Sequence, residues 1–268
     1  METVEERMTK KNLDAILQQV LNVLETEDGR PFEEKKKEAV RILREAEGNS
    51  GAAYLMEKLE QEAAGREICG RFWEGGDLVP AGERIVLRKV CDADRDKYLE
   101  VRLAYSVVKD FMKEDAHRQM LWNEHTDETA LMFSIFFDHE YVGYCGIHNV
   151  TRKTWEIAME LLPEKTNRGI GVSAMTAMLD AIKARLGVKE YRVRIEPTNS
   201  VSQKFFERLG AVPNGLSTFL LHDPQVLEAC EEENFHLIDD SLRVVAEKFS
   251  VEPQKLLSHV LEYKLIWG

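Results

Sequence analysis

A mixed α/β domain preceded by an all-helical segment is the fold class this sequence predicts. Three observations carry it. Residues 1–80 repeat their apolar side chains only at helical spacing. From Glu83 onward, short runs of alternating polarity are interleaved with helical stripes. The stretch from Trp155 to Gly210 reads strand, glycine turn, helix, strand, helix. A length of 268 residues, 44% of them hydrophobic and 31% charged, suits one large or two small globular domains with a proper core.

In the N-terminal segment Leu13, Ile16, Leu17, Val20, Leu21 and Leu24 mark a first helix that stops at Asp28-Gly29. Pro31 opens a second, with Ala39, Val40, Ile42 and Leu43 set in a Glu/Lys-rich face. A third carries Tyr54, Leu55, Met56 and Leu59 and runs to about Ala64. This segment holds 18 acidic against 12 basic residues, half of the net charge of −12, and no chemistry-bearing motif. It reads either as a small helical domain for partner or acceptor recognition or as a helical extension packed on the second domain. Gly75-Gly76-Asp77 and Pro80-Ala81-Gly82 mark a linker. The expected division is a helical accessory domain over 1–80 and a second domain over 83–268.

The second domain opens on a strand with Ile85, Leu87 and Val90. Asp92-Ala93-Asp94 then caps a long helix bearing Tyr98, Leu99, Val101, Leu103, Val107, Val108, Phe111 and Met112. A short helical stretch with Met120, Leu121 and Trp122 comes after it. Ala130 to Phe137 and Tyr141 to Asn149 form a hairpin at Asp138-His139-Glu140, and Trp155 to Leu162 is the next strand. Leu216 to Leu221 and His259 to Trp267 read as a last pair of strands. Between them lies an insertion at about 223–257 with a helix on Leu237, Ile238, Leu242, Val245 and Phe249, a lid or acceptor-specificity element or else a cover for a sheet edge.

Chemistry concentrates after Pro163. Thr166, Asn167, Arg168, Gly169, Ile170 and Gly171 form a turn whose glycines let a bound group approach the backbone. The helix that begins there has Val172, Met175, Met178, Leu179, Ile182 and Leu186 on one stripe and Gly187 as its stop. Its first turn leaves backbone N–H groups unpaired at the positive end of the helix dipole, which suits a phosphate or pyrophosphate. A second segment completes the pattern: Asn199 after the strand Tyr191, Val193, Ile195, then Ser202, Phe206, Glu207 and Gly210 on a helix.

The two segments together resemble the acyl-CoA-binding core of the GNAT superfamily of N-acyltransferases. That family's glycine turn has the form Gln/Arg-x-x-Gly-x-Gly/Ala, and its second segment reads Asn-x-x-Ser-x-x-x-Tyr-Glu-x-x-Gly. The resemblance extends over about 185 residues. It implies a central mixed, mostly antiparallel sheet and acetyl transfer from acetyl-CoA, without a metal, to a primary amine of a small molecule, amino acid or protein N-terminus. The strand EIAMELLPE looks closest to the ribosomal-protein alanine acetyltransferase branch. Asn167 to Val172, including Arg168, Gly169, Ile170 and Gly171, would hold the pyrophosphate. Leu161 and Leu162 would pair with the pantetheine arm, with Asn199, Ser202 and Phe206 also on the donor. Two positions depart from the pattern. Thr166 stands where the family has Gln or Arg, and Phe206 where it often has the Tyr that protonates the leaving thiolate.

An acceptor amine is mostly protonated at neutral pH, its reference pKa running from ~8 for an α-amino group to ~10.4 for lysine. A base must therefore act before attack. Glu156 and Glu160 share one face of their strand and are the candidates; backbone N–H groups around Met159 to Leu162 are placed for the oxyanion. His148, at the end of the preceding strand, is a further candidate acid or base on the acceptor side. The rival reading is a CoA-binding regulatory or interaction module in which Phe206 marks lost catalysis.

Other classes are disfavoured. Net acidity argues against nucleic-acid binding, the longest apolar runs are too short to span a bilayer, and the first residues do not read as a secretory leader, so a cytoplasmic location is expected. Cys69, Cys91, Cys145 and Cys230 are scattered without metal-ligand spacing and read as reduced thiols. A homodimer is left open.

Overall fold

The computed structural model describes residues 15–23, 26, 28–45, 50–106, 109–218 and 222–268, and the chain divides into two compact units, Met1–Glu67 and Ile68–Gly268. In the first unit, helix α1 covers 15–23, α2 covers Phe32–Glu45, and α3 (Ser50–Trp73) contributes its residues up to Glu67. Val20, Ala39 and Leu43 are its buried core, with Ile16, Ile42, Met56 and Leu59 against them. These are the periodic positions of the sequence; Leu13 and Leu24 lie outside the described residues. The third helix does not stop near Ala64 as expected but continues to Trp73, since nothing between those points breaks it: Gly65 and Gly70 each stand alone among good helix formers.

The second unit is organised on one eight-stranded sheet in the order β1-β2-β3-β4-β5-β6-β8-β7. Its strands are β1 (Leu78–Pro80), β2 (Ile85–Lys89), β3 (Leu131–Phe137), β4 (Glu140–Ile147), β5 (Trp155–Leu161), β6 (Glu190–Ile195), β7 (Val212–Ser217) and β8 (Val260–Ile266). Every neighbouring pair is antiparallel except β5 and β6. The β3–β4 hairpin turns on Asp138 (φ 48) and His139 (φ 68), both left-handed as a two-residue turn of this hand requires. Of the expected strand Leu216 to Leu221, residues 219–221 lie outside the described residues, and β7 starts earlier, at Val212.

Helix α6 (Ile170–Leu186) covers one face of the sheet. Its stripe Met175, Met178, Leu179 and Ile182 is 0% exposed, and burying each such side chain contributes about 1.5–3 kcal/mol. Gly187, at φ 75, ends it by donating its N–H to the Lys183 carbonyl at 2.9 Å. The other face is covered by α4 (Arg95–Tyr105) and α5 (Asp115–His125), with Tyr98, Leu99, Val101, Leu121, Trp122, Met132 and Tyr144 buried between helices and sheet. The long helix expected from Asp94 to Met112 is thus cut at Tyr105. Ser106 is extended (φ −67, ψ 128), and the sequence there, Ser106-Val107-Val108, is poor in helix formers; Val107 and Val108 lie outside the described residues.

Helix α7 (Ser200–Arg208) comes after β6, and the insertion before β8 holds two helices rather than one, α8 (Pro224–Glu233) and α9 (Asp240–Phe249). Leu242, Ala246 and Phe249 of α9 join the main core. Buried Glu231 ties α8 to the turn before β8, accepting from Lys255 Nζ at 2.8 Å and Ser258 Oγ at 2.6 Å. Among the described residues no helix is long and apolar enough to cross a membrane, and no group of His, Cys, Asp and Glu is arranged to hold a metal ion. The four cysteines are free.

Candidate active site in the fork between β5 and β6

The two central strands part company almost as soon as they meet. Their parallel pairing is Trp155 with Tyr191 and Glu156 with Arg192; beyond it Val193 and Ile195 pair only with Tyr263 and Leu261 of β8. On its other edge β5 stays bonded to β4, from Ile157↔Ile147 to Leu161↔Gly143, and the Leu162 N–H reaches the Val142 carbonyl at 2.9 Å. Antiparallel ladders alternate the direction of successive peptide groups. With Leu162 turned toward β4, the N–H and C=O groups of Met159 and Leu161, past the last β5–β6 pair, face the fork. A stretch of strand edge is thereby left for a ligand to pair with.

Gly143 explains how β4 can track β5 so closely here. A Cβ at that position would overlap the Glu160 carbonyl oxygen and stand 2.7 Å from Leu161 Cα. The mouth of the fork is closed by the turn into α6. Asn167 (φ 58) and Gly169 (φ 77) are both left-handed, and the first bond of the helix runs from the Ser173 N–H to the Gly169 carbonyl at 3.1 Å. The amides of Ile170, Gly171 and Val172 precede that bond and point out of the helix start. Asn167, Arg168 and Gly169 are exposed, while the Ile170 side chain is buried. Gly171 is where backbone meets site wall: a Cβ there would stand 3.2 Å from Phe205, 3.5 Å from Leu161 and 3.6 Å from Met159 Sδ.

The expected residues of the second segment divide. Asn199 caps α7, its side chain accepting from the Ser202 N–H at 3.0 Å. Phe206 is 6% exposed and belongs to the main core, edge-on to Phe205 with ring centroids 4.9 Å apart. The aromatic ring beside Gly171 is therefore that of Phe205.

The two candidate carboxylates sit in different surroundings. Glu156 accepts from Arg194 Nε at 2.7 Å and Arg192 at 3.0 Å, with Arg152 at 3.7 Å, so it is neutralised across the root of the fork. Glu160 has one cationic partner, Arg102 Nη1 at 2.7 Å, which also donates to the Tyr144 hydroxyl at 3.3 Å. Its other oxygen, Oε2, is buried and has no hydrogen-bond partner among the described residues. Burial pushes the Glu160 carboxyl above its ordinary value, with Arg102 opposing. Close to it the Tyr105 hydroxyl donates to the Leu161 carbonyl at 2.8 Å. Deeper, His125 stacks on Tyr98 at 3.9 Å and meets Tyr144 edge-on at 4.8 Å. His148 is exposed just past the end of β4.

Residues 84–212 match the family described as acetyltransferase (GNAT) domain. This chain carries a GNAT acetyltransferase domain. Solved structures similar to it include RimL, the ribosomal L7/L12 α-N-protein acetyltransferase in complex with coenzyme A (14% identity, 71% of this chain and 98% of that one, TM-score 0.48). Mycobacterium smegmatis RimJ in complex with CoA-disulfide is another (19%, 71% and 86%, 0.47). A third is the microcin C7 self-immunity acetyltransferase MccE in complex with acetyl-CoA and AMP (12%, 71% and 97%, 0.46). The search of curated proteins returned no match.

Sequence reasoning about the GNAT domain reaches the glycine turn, β5 and α7, but passes over Arg102, Tyr105 and Tyr144. A signal is present for two of them. Tyr98, Arg102 and Tyr105 stand at i, i+4 and i+7, a polar-aromatic stripe along one face of α4.

Proposed function

We propose that the fork binds acetyl-CoA as acyl donor and that the domain transfers its acetyl group to a primary amine. The observation that carries this is the alignment of two sets of backbone groups: the edge of β5 at Met159 and Leu161, beyond its last pairing with β6, and the first-turn amides of α6 after Gly169. An extended arm bearing amides matches the first, and a diphosphate matches the second. Leu162, expected beside the arm, does not serve it: its N–H is taken by the Val142 carbonyl and its side chain is buried in the cluster with Tyr98 and Leu99 of α4.

Glu160 is the base in this reading. A half-buried carboxylate with a raised pKa and a spare oxygen accepts a proton from an ammonium more readily than one held by three arginines, as Glu156 is. Arg102 fixes its orientation and favours its ionised form against the burial that opposes it. The Met159 N–H, facing the fork, is placed to donate to the oxyanion as the amine attacks.

The test is release of CoA thiol from acetyl-CoA across a panel of amines: small amines, amino acids, lysine side chains and protein N-termini. Turnover on at least one of them is expected. CoA binding without turnover on any would replace this reading by that of a binding module, and no CoA binding would remove the fork as a donor site.

A further inference from the structure

We propose that Tyr105 is the group that protonates the leaving thiolate in this acyl transfer. The proposal rests on the fork being the acyl-donor slot and adds the acid that Phe206 cannot supply. Phe206 lacks a hydroxyl and is packed into the core.

Tyr105 is the last residue of α4, where the backbone turns extended at Ser106. Its ring departs from the helix and its hydroxyl donates to the Leu161 carbonyl at 2.8 Å. That carbonyl belongs to the open edge of β5, so the phenol stands in the fork itself rather than beneath the sheet. When an arm amide takes the Leu161 carbonyl, the phenolic hydrogen is released toward the arm. At 49% exposure the ring also keeps a route to water. Partial burial, and then the carboxylates of Glu160 and Glu164, hold its pKa above the ordinary tyrosine value, so the proton is present at neutral pH.

The step balances without a further reagent. The ammonium first gives one proton to Glu160, which passes it to water; the freed lone pair then forms the C–N bond to the thioester carbon, and Glu160 takes the second proton from nitrogen. The tetrahedral adduct reforms C=O and breaks C–S, with the electron pair going to sulfur. Tyr105 gives its proton to that sulfur, leaving CoA-SH and phenolate. Glu160 is the residue before Leu161, and its newly gained proton returns to the phenolate through water in the fork.

The variant is Tyr105→Phe. Its kcat is expected to fall roughly a hundredfold, with the KM for acetyl-CoA within about twofold because the variant keeps the ring. The readout that a merely structural role would leave alone is the thiol of bound CoA, titrated by its thiolate absorbance. A hydroxyl donating to the thiolate favours the ionised form, so the thiol pKa should rise by about one unit in Tyr105→Phe. Identical thiol titrations in wild type and variant, or an unchanged kcat, would overturn the proposal. A shifted thiol in a protein that acetylates no amine would retain Tyr105 at the sulfur while removing the transferase reading. Failure of wild type to bind CoA would remove both. Should Tyr105→Phe not fold, a fluorotyrosine at position 105, whose phenol is more acidic, should move the basic limb of kcat to lower pH; an unmoved limb overturns the assignment.

Discussion

Glu156 on β5 and Arg194 on β6 meet at 2.7 Å, although the last backbone pair joining their strands is Glu156 with Arg192. Where the ladder stops, charge takes over. Arg192 extends the chain of contacts to Glu262 on β8 at 3.7 Å. Glu156 is thus a clamp that sets the width of the fork at its root. Glu156→Gln keeps the shape but leaves guanidinium groups facing one another around a side chain only 16% exposed. A loss of about 1–3 kcal/mol is expected, below the full cost of breaking a buried pair because water still reaches the site. Thermal unfolding should show a lower Tm and steady-state kinetics a raised KM for acetyl-CoA, with the pH profile of kcat unchanged. A lost acid limb would make Glu156 the base instead.

Glu160→Gln should behave in the opposite way. The base works as carboxylate, so activity falls as pH drops through its pKa, and burial places that pKa above the ordinary glutamate value. The acid limb of kcat is therefore expected at higher pH than a free glutamate would give. The amide still accepts from Arg102 but takes no proton, so kcat should fall by about 10²–10⁴ and the limb should vanish. A wild-type profile in this variant would exclude the role.

Gly169→Asp separates the phosphate site from the fold. Gly169 has φ 77 and a Cβ there meets nothing within 4 Å, so the protein itself raises no clash. Asp tolerates a left-handed backbone at a cost of about 1–2 kcal/mol. Its carboxylate, however, competes for the amides of Ile170 to Val172 that a diphosphate would need. Calorimetric titration should show CoA affinity reduced at least about a hundredfold with little change in Tm, while Gly169→Ala, which adds strain without charge, should bind far better than Gly169→Asp. Equal affinities in both variants would move the diphosphate elsewhere.

Much of this is legible in the sequence because it is local. The stripe Met175, Met178, Leu179 and Ile182, the Asp138-His139 turn and the glycines at 169 and 187 each act within a few residues, whereas Val172, expected on that stripe, is 42% exposed. The features that escape are non-local or too short. β1 has three residues, of which only Val79 is buried, and gives no period. Arg102 and Glu160 are 58 positions apart, and nothing in either neighbourhood announces the pair. Phe205 and Phe206 are adjacent aromatics on one helix; which of them faces Gly171 is decided by how α7 is rotated against the sheet, a tertiary fact.

His125 yields a stability prediction with a definite sign. Its ring is 2% exposed, stacked on Tyr98, and neither nitrogen has a hydrogen-bond partner among the described residues. Burial first, then the charges of His148 and Arg102, push its pKa from 6.5 down to about 3. The unfolded chain binds this proton near 6.5 and the folded protein does not until about 3, so between those values the unfolded state holds more protons. The stability from keeping His125 neutral is complete above pH 6.5 and is lost progressively as pH falls toward 3, on the order of a few kcal/mol by the lower end. His125→Phe keeps an aromatic ring against Tyr98 and Tyr144 and removes the proton site. Its Tm at pH 7 should lie within a few degrees of wild type, and at pH 4–5 it should lie above it, so the two curves of Tm against pH converge or cross on acidification. Comparing the proteins at the same pH cancels every other titrating group, including Glu160, whose raised pKa acts in the opposite direction. Parallel curves would mean that His125 takes up its proton in the folded state as easily as in the unfolded one, and that the stack on Tyr98 is open to water.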